Sequence, residues 1–508
     1  MPLSTVYVTI READMAKQHR TLRYDLAAWL RRGEGRVQLA LVALLLLLSA
    51  CASVAPPASP LAAPAAATGN TAVPGVTPAR LTADYWIARL HDPTALVLDP
   101  EAIAAQNTRL TEQDRSVLDL STLPAVMAGE EVRSRVQSSS PRPQRALFDA
   151  TGAEVAEAEI DALLHQLALD TVADRVGLQF GLVTRRSDLR SFPTTRRVFS
   201  SPGNTDIDRF QESALFPGTP VAVLHESRDG QWWFVVSRLY SAWIEAESVA
   251  VGDRHAVFEY ANRSPYLIVT GAQVRTVFTP EAAQVSDLVL DMGVRLPLME
   301  DWPDSRLVNG QLPYASHVVA MPVRGADARL EIVPALVPRS ADVSANYLPL
   351  TRANLIRQAF KFLGERYGWG HSYGTRDCSG FVSEIYRSFG VEMPRNTSDQ
   401  GISTAFDRIV FDKSDSHEQR VATLRTLDVG DLIYIPGHVM MVIGQADGEV
   451  WLIHDTTGMR YRNANGALVS VALNQVSVTP LLALLGESGT PYVDSIYSIQ
   501  RIRAVGTE

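Results

Sequence analysis

The chain has 508 residues, 46% of them apolar and 20% charged, with a formal net charge of -9. That length allows two to four domains with sizeable cores. The acidic balance excludes general affinity for nucleic acid, which needs a basic surface.

Arg31, Arg32 and Arg36 precede an apolar run from Val37 to Leu48. The run is short for a bilayer span and has the length of a signal-peptide core. Leu48-Ser49-Ala50-Cys51 follows and resembles a bacterial lipobox, in which the cysteine becomes the lipidated N-terminus. Ordinary signal cleavage and a retained anchor are the alternatives. Residues 1–50 are expected to be a signal segment, although the stretch before Arg31 is long for one. Residues 51–80, rich in Ala, Pro, Thr and Gly, read as a flexible tether. Ala52 is not the Asp that marks inner-membrane retention. The lipobox resemblance therefore implies a periplasmic protein anchored to the outer membrane. With Cys51 so used, no cysteine pair remains, and the fold must stand on its core.

Residues 81–172 read as a mostly helical region. Val155, Ile160, Leu163, Leu164 and Leu167 fall at helical spacing, and Ser138 to Pro143 is a loop. The adjacent Glu130 and Glu131 read as solvated surface charge. From 173 to 252 the texture changes to short strands: Pro220–His225, Gln231–Val236 and Ala242–Ile244, with a hairpin signal at Asp229-Gly230. Tyr240-Ser241-Ala242-Trp243-Ile244 resembles the fourth strand of a bacterial SH3-like barrel. Residues 253–340 form a second β-rich block, with Tyr266–Val269 and His317–Val323. A more divergent barrel of the same kind is expected there. Arg339 to Pro349 is a polar connector.

The last domain is expected over 350–508. Thr351 is a candidate N-cap for a helix whose apolar face is Leu355, Ile356, Ala359, Phe360 and Leu363. A second helix carries Phe381, Val382, Ile385, Tyr386 and Phe389, with Gly390 as a C-cap. Asp377 is its candidate N-cap, which puts Cys378 in the first turn. Strand-like runs follow at Asp431–Ile435, His438–Ile443 and Val450–His454. Helices before an antiparallel sheet make the domain α+β.

A thiol at a helix start feels the positive end of the dipole, which favours the thiolate. Simple burial of a small apolar side chain is the other use of a lone cysteine. Thiolate chemistry also needs a base near the sulfur and a group that orients the base, from elsewhere in the chain. Among ten histidines, His438 starts a strand after the Pro436-Gly437 turn. His454 ends the next strand. No His/Cys/carboxylate cluster has ligand spacing, so no metal or other cofactor is expected.

Tyr367-Gly368-Trp369-Gly370, Asp377-Cys378-Ser379-Gly380-Phe381-Val382, Met393 to Gln400, Gly430-Asp431-Leu432, Gly437-His438-Val439 and His454 occur in one order. Together they resemble the NlpC-type family of papain-like cell-wall cysteine peptidases, over about residues 351–503. The domain order resembles a multidomain subgroup of γ-D-glutamyl-L-diamino acid endopeptidases. The resemblance implies Cys378 as nucleophile, His438 as general base and His454 as the orienting residue. It implies an oxyanion site at the Cys378 amide and the Tyr367 hydroxyl. Trp369, Asp377, Ser379, Arg395 and Asn396 become substrate-binding candidates, joined by Tyr240 and Glu212 of the first barrel. Asn396 stands where the subgroup has an acidic residue. His371 stands where the family has a second Gly, and the Tyr367–Cys378 segment is one residue short. The implied partner is a peptidoglycan stem peptide or muropeptide, bound by a monomer. An amidase or acyltransferase on another substrate is one alternative. A non-catalytic wall-binding protein is the other.

A shared site requires His438 and His454 on one face of the sheet. Residues opposed in an antiparallel pair share a face. A two-residue Asp447-Gly448 loop would put the two on opposite faces. A three-residue loop, Ala446-Asp447-Gly448, or a bulge of the same effect, is expected instead.

Overall fold

The computed structural model describes residues 73–503. The signal segment, Cys51 and nearly all of the tether lie outside the described residues. Among the described residues, no helix is long and apolar enough to cross a membrane.

The stretch expected as one helical region divides between two cores. Helices α1 (Ala83–Ile87) and α2 (Pro100–Gln113) pack on the C-terminal domain. Each starts at a side-chain cap: Thr82 accepts from the Tyr85 amide, and Asp99 from the Ala102 amide. Trp86 is buried against Trp451, ring to ring at 5.7 Å. Its indole N–H donates to the Arg80 carbonyl at 2.9 Å. Helices α3 (Gly129–Ser139) and α4 (Glu157–Gln166) contribute Val132, Val136 and Ile160 to the core of the first barrel instead.

The first barrel is one antiparallel sheet of seven strands: β1 (Gln179–Val183), β2 (Ser187–Arg190), β3 (Gln211–Leu215), β4 (Pro220–Glu226), β5 (Trp232–Val236), β6 (Ser241–Glu245) and β7 (Val249–Gly252). Their order is β7-β1-β4-β5-β6-β2-β3. Trp232, Phe234 and Trp243 are buried in the core that the sheet shares with α3 and α4, so these aromatics build the fold. Tyr240, just before β6, is left facing the neighbouring domain.

The second β block does not close as one barrel sheet. After helix α5 (Arg254–Asn262) come β8 (Tyr266–Val269), β9 (Gln273–Arg275), β10 (Val289–Asp291), β11 (Arg295–Pro297), β12 (Ser316–Arg324) and β13 (Leu330–Pro338). They pair in separate small sheets: β8 between β11 and Val343–Ser344, β9 with β10, and β12 with β13. One apolar core that includes Leu267, Leu290 and Val337 holds them together.

The C-terminal domain is α+β. Helix α6 (Arg352–Phe360) starts at Thr351, whose hydroxyl accepts from the Asn354 amide at 3.1 Å. Helix α7 (Cys378–Arg387) starts at Asp377, which accepts from the Gly380 amide at 2.8 Å. Short helix α8 (Thr397–Ile402), β14 (Asp407–Val410) and α9 (His417–Leu424) follow. Then come β15 (Leu432–Ile435), β16 (His438–Ala446), β17 (Glu449–Arg462), β18 (Leu468–Pro480), the short helix α10 (Tyr492–Ser495) and β19 (Ser498–Arg501). The antiparallel sheet runs β14-β19-β15-β16-β17-β18. One face packs on α6 and α7 through Leu432, Val439, Met441 and Ile453. The other packs on α9 through Ile433, Met440, Val442 and Leu452.

The β16–β17 turn is Asp447-Gly448, with both residues left-handed at φ 56° and 74°. Ala446 pairs with Glu449, so the loop has two residues and the three-residue loop is not formed. Parity is corrected inside the ladder. A bulge between Val442 and Gly444 leaves Ile443 as an extra residue, and Met441 then pairs with Ile453. In that register His438 and His454 share a face.

Buried charge joins the domains. Arg376 is wholly buried and donates to Glu384 on α7 at 2.8 Å and to Asp291 on β10 at 2.9 Å. Asp291 also accepts from Arg186 of the first barrel at 3.1 Å. Removing one member leaves charges with neither water nor a partner. Arg376→Met is therefore expected to cost about 3–5 kcal/mol in urea unfolding. A loss below about 1 kcal/mol would show that the cluster does not hold the domains.

Candidate active site

The Cys378 side chain sits at the first turn of α7, where Asp377 caps the helix. Gly380 is needed beside it. A Cβ there would lie 2.7 Å from Cε1 of His371. The Cys378 sulfur lies 3.6 Å from the Thr397 hydroxyl at the start of α8. It also receives the Val439 amide, the residue directly after His438. The thiol is thus brought to the first residues of β16.

His438 Nε2 and His454 Nδ1 are 2.7 Å apart. His454 Nε2 lies 2.9 Å from the Thr479 hydroxyl on β18. Both rings are on one face, as the bulge requires. Since His438 Nε2 is engaged by His454, Nδ1 is the nitrogen left for the thiol. That choice makes His438 the Nε2–H tautomer, donating to His454 Nδ1. His454 then carries its own proton on Nε2 and donates it to Thr479.

The electrostatics differ from the helix-dipole expectation. Burial pushes the Cys378 thiol up to about 12, and the Asp377 charge adds to this. The Thr397 hydroxyl and Val439 amide only partly oppose it. Burial also pushes His438 down to about 4, and His454 well below the usual range. The resting pair is neutral thiol and neutral imidazole, because desolvation outweighs half a helix charge.

Tyr367 is nearly buried, and burial raises its phenol, followed by the charges of Cys378 and Asp377. Its backbone is held by the Asn474 carbonyl at 3.1 Å and by a bridge to Arg376. Asp455, next to His454, is fully buried, and neither of its carboxylate oxygens has a hydrogen-bond partner. Burial raises it to about 9, with the Asp377 and Glu365 charges adding to the shift.

The substrate-binding candidates separate into two groups. Asp377, Ser379 and Arg395 are interior and satisfy one another. Arg395 donates from Nε to Ser213 of β3 at 2.7 Å and from Nη1 to Ser379 at 2.8 Å. It also donates to both oxygens of Asp377, at 3.2 and 2.8 Å. Its last N–H goes to His371 Nδ1 at 3.0 Å. No donor remains for a substrate carboxylate. Arg395 is therefore spent inside the protein, and the three residues together hold the helix start. Burial alone would raise Asp377, but the Arg395 charge and hydrogen bonds keep it below the usual range.

Trp369, Tyr240, Glu212 and Asn396 form the accessible group. Trp369 is 37% exposed and donates to the Gln211 carbonyl of β3 at 3.0 Å. Tyr240 donates to Glu212 at 2.5 Å. Burial raises Glu212, and the Tyr240 hydrogen bond and Arg395 charge only partly offset this. Asn396 is exposed and donates to Asp399 at 3.0 Å. The barrel therefore reaches the α7 start through β3 and Tyr240.

Sequence reasoning missed Thr397, Thr479, Glu384 and Arg376 as parts of the site. Thr397 lay inside a quoted motif. Thr479 carries no local signal, because only the β17–β18 pairing brings it to His454.

Comparison with known proteins agrees with this geometry. Residues 364–478 match the NlpC/P60 family, and residues 197–245 match an SH3 domain of the SH3b1 type. A probable endopeptidase p60 from Listeria seeligeri is 32% identical over 114 residues, 22% of this chain and 19% of that one. Its counterpart from Listeria welshimeri is 31% identical over the same length, again 22% of this chain and 19% of the relative. The chain thus matches about a fifth of the length of these curated relatives. A solved structure described as a novel NlpC/P60 endopeptidase from Photobacterium damselae subsp. piscicida aligns with a TM-score of 0.64 at 16% identity. That alignment covers 82% of this chain and 96% of the other, and so shows a common fold. The domain that carries Cys378, behind an SH3-type barrel, is thus the part of this chain that matches the NlpC/P60 family.

Proposed function

We propose that the protein is a cysteine endopeptidase of peptidoglycan that cleaves the γ-D-glutamyl–diamino acid bond of stem peptides. The observation that carries this is the Cys378 sulfur at the Val439 amide, directly after a His438–His454–Thr479 hydrogen-bond chain. The Listeria relatives, probable endopeptidases p60, support the peptidase class.

In the mechanism, His438 Nδ1 takes the thiol proton as the sulfur attacks the scissile carbonyl. The imidazolium is held by its Nε2–H on His454. The Cys378 amide at the helix start and the Tyr367 hydroxyl receive the oxyanion. His438 then protonates the leaving amine, and water releases the acyl group from sulfur by the reverse sequence. Trp369, Tyr240 and Glu212 wall the cleft, and Glu212 offers charge for a substrate ammonium. Asn396 brings no charge itself, but holds the Asp399 carboxylate next to it. A preference for peptides with a free L-Ala amine follows. Cys51 as a lipidated N-terminus would hold the enzyme at the outer membrane, facing the periplasm.

Muropeptides incubated with the protein and resolved by mass spectrometry test the function. Cys378→Ala is expected to abolish product, and His438→Ala nearly so. His454→Ala should lose less, since an orienting group contributes less than the base. The kcat/KM for L-Ala-γ-D-Glu-diaminopimelate should exceed that for its N-acetylated form. Wild-type turnover by Cys378→Ala would end the proposal.

The neutral resting pair gives a pH prediction. Because burial lowers His438 to about 4, it stays unprotonated and able to accept at all higher pH. The acid limb of kcat/KM is therefore expected near pH 4. A limb near the ordinary imidazole value of about 6.5 would refute the neutral pair.

Anchoring is tested by cell fractionation. Cys51→Ser should move the protein out of the membrane fraction; unchanged membrane association would exclude lipidation at this residue.

A further inference from the structure

His371 occupies the centre of the buried polar cluster, and neither of its ring nitrogens bonds the thiol, His438 or His454. It is 3% exposed and left-handed, with φ 66°. Its Nε2 lies 3.0 Å from Glu384 Oε1, and its Nδ1 lies 3.0 Å from Arg395 Nη2. The edge of Phe216 from the first barrel closes over the ring at 5.7 Å. Its carbonyl accepts from Arg186, just before β2, at 3.1 Å.

These partners fix the ring's protonation. An arginine has donors and no acceptor, so Nδ1 must present its lone pair to Arg395. Glu384 takes Arg376 on its other oxygen, and receives the Nε2–H of His371. Only the neutral Nε2–H tautomer satisfies both sides. Adding a proton to Nδ1 would set two cations 3.0 Å apart in the interior. The charged groups facing the ring are Glu384 and Asp377 of the α7 region, Arg395 before α8, and Arg186 at its backbone. Burial first, and Arg395 second, lower its affinity for a proton.

We propose that His371 is a positioning residue for catalysis, which as the neutral Nε2–H tautomer orients Arg395 so that Arg395 and Asp377 hold the helix start that carries Cys378. The chain runs Arg376–Glu384–His371–Arg395–Asp377, and ends on the residue before the nucleophile. Because every N–H of Arg395 is spent inside the protein, His371 acts on the pose of the thiol and not on substrate affinity. This rests on the peptidase function proposed above.

The test uses two variants and two readouts on the full chain. Asn tolerates the left-handed backbone, and its Oδ1 can accept from Arg395 in place of Nδ1. Ala keeps neither contact. With a free stem peptide, His371→Ala is expected to lose about 10- to 100-fold in kcat, the usual cost of removing a supporting partner. Its KM should stay within about threefold, since the substrate contacts remain. His371→Asn should recover most of the lost kcat. Wild-type kcat in His371→Ala, or equal loss in both variants when urea unfolding shows both folded, overturns the proposal. The second readout needs no substrate. In imidazole-15N-labelled protein at about pH 6, where an ordinary histidine is largely protonated, His371 Nδ1 should give the signal of an unprotonated nitrogen. A protonated Nδ1 overturns the proposal. Absence of turnover in wild type, with the expected nitrogen signal, would remove the peptidase function and leave the His371–Arg395 bond standing.

Discussion

The structure depends on a set of charges that water cannot reach. Arg376 lies at the meeting point of three domains, with Glu384 and Asp291 against it and no exposure of its own. Burial costs an ion several kcal/mol unless partners replace its water. That cost ties the domains together. Asp291 must come from the second β block, and Arg186 from the first barrel also reaches it. Arg376 holds Glu384 down at about 2, against the pull of burial. The same carboxylate then fixes His371, and through it Arg395 and Asp377.

The site built on this cluster is rigid where it holds the nucleophile and open where the barrel meets it. Asp377, Ser379 and Arg395 have no spare hydrogen-bonding capacity toward a ligand. Trp369, Tyr240, Glu212 and Asn396 do have accessible surface. The first barrel contributes its edge, not its interior. Trp243 and Phe234 are fully buried in its core, while Ser213 of β3 completes the shell around Arg395. Catalytic and barrel domains share one site for that reason.

The thiol shows how burial can outweigh a local effect. A helix start stabilises a nearby anion by about 0.3–1 kcal/mol when exposed. A buried thiol also meets Asp377, an anion that the Arg395 pairing keeps charged. The net result is a protonated sulfur, which in the proposed mechanism needs its base at the moment of attack. The His438–His454–Thr479 chain leaves one ring nitrogen of His438 for that proposed role.

The sequence by itself determined the order of the elements and the identity of the site motifs. Helical spacing marked α6 and α7, and Thr351 and Asp377 cap them as expected, because a cap is a contact over about three residues. The Asp-Cys-Ser-Gly and Gly-His-Val motifs were legible for the same reason: each is local. The strands of the first barrel were legible by alternation and turns. The need for one face at His438 and His454 was legible, but whether a three-residue loop or a bulge met it was not, because a bulge at Ile443 leaves no composition signal and is decided by the pairing of two strands. The second block was read as a more divergent barrel, and strand type alone does not say that its strands pair in separate small sheets. Only the tertiary structure decided that Arg395 is saturated, that residues 81–172 divide between two cores, and that the thiol rests neutral. Each depends on burial and on partners far along the chain, and desolvation is a property of the packed molecule that no short stretch of sequence contains.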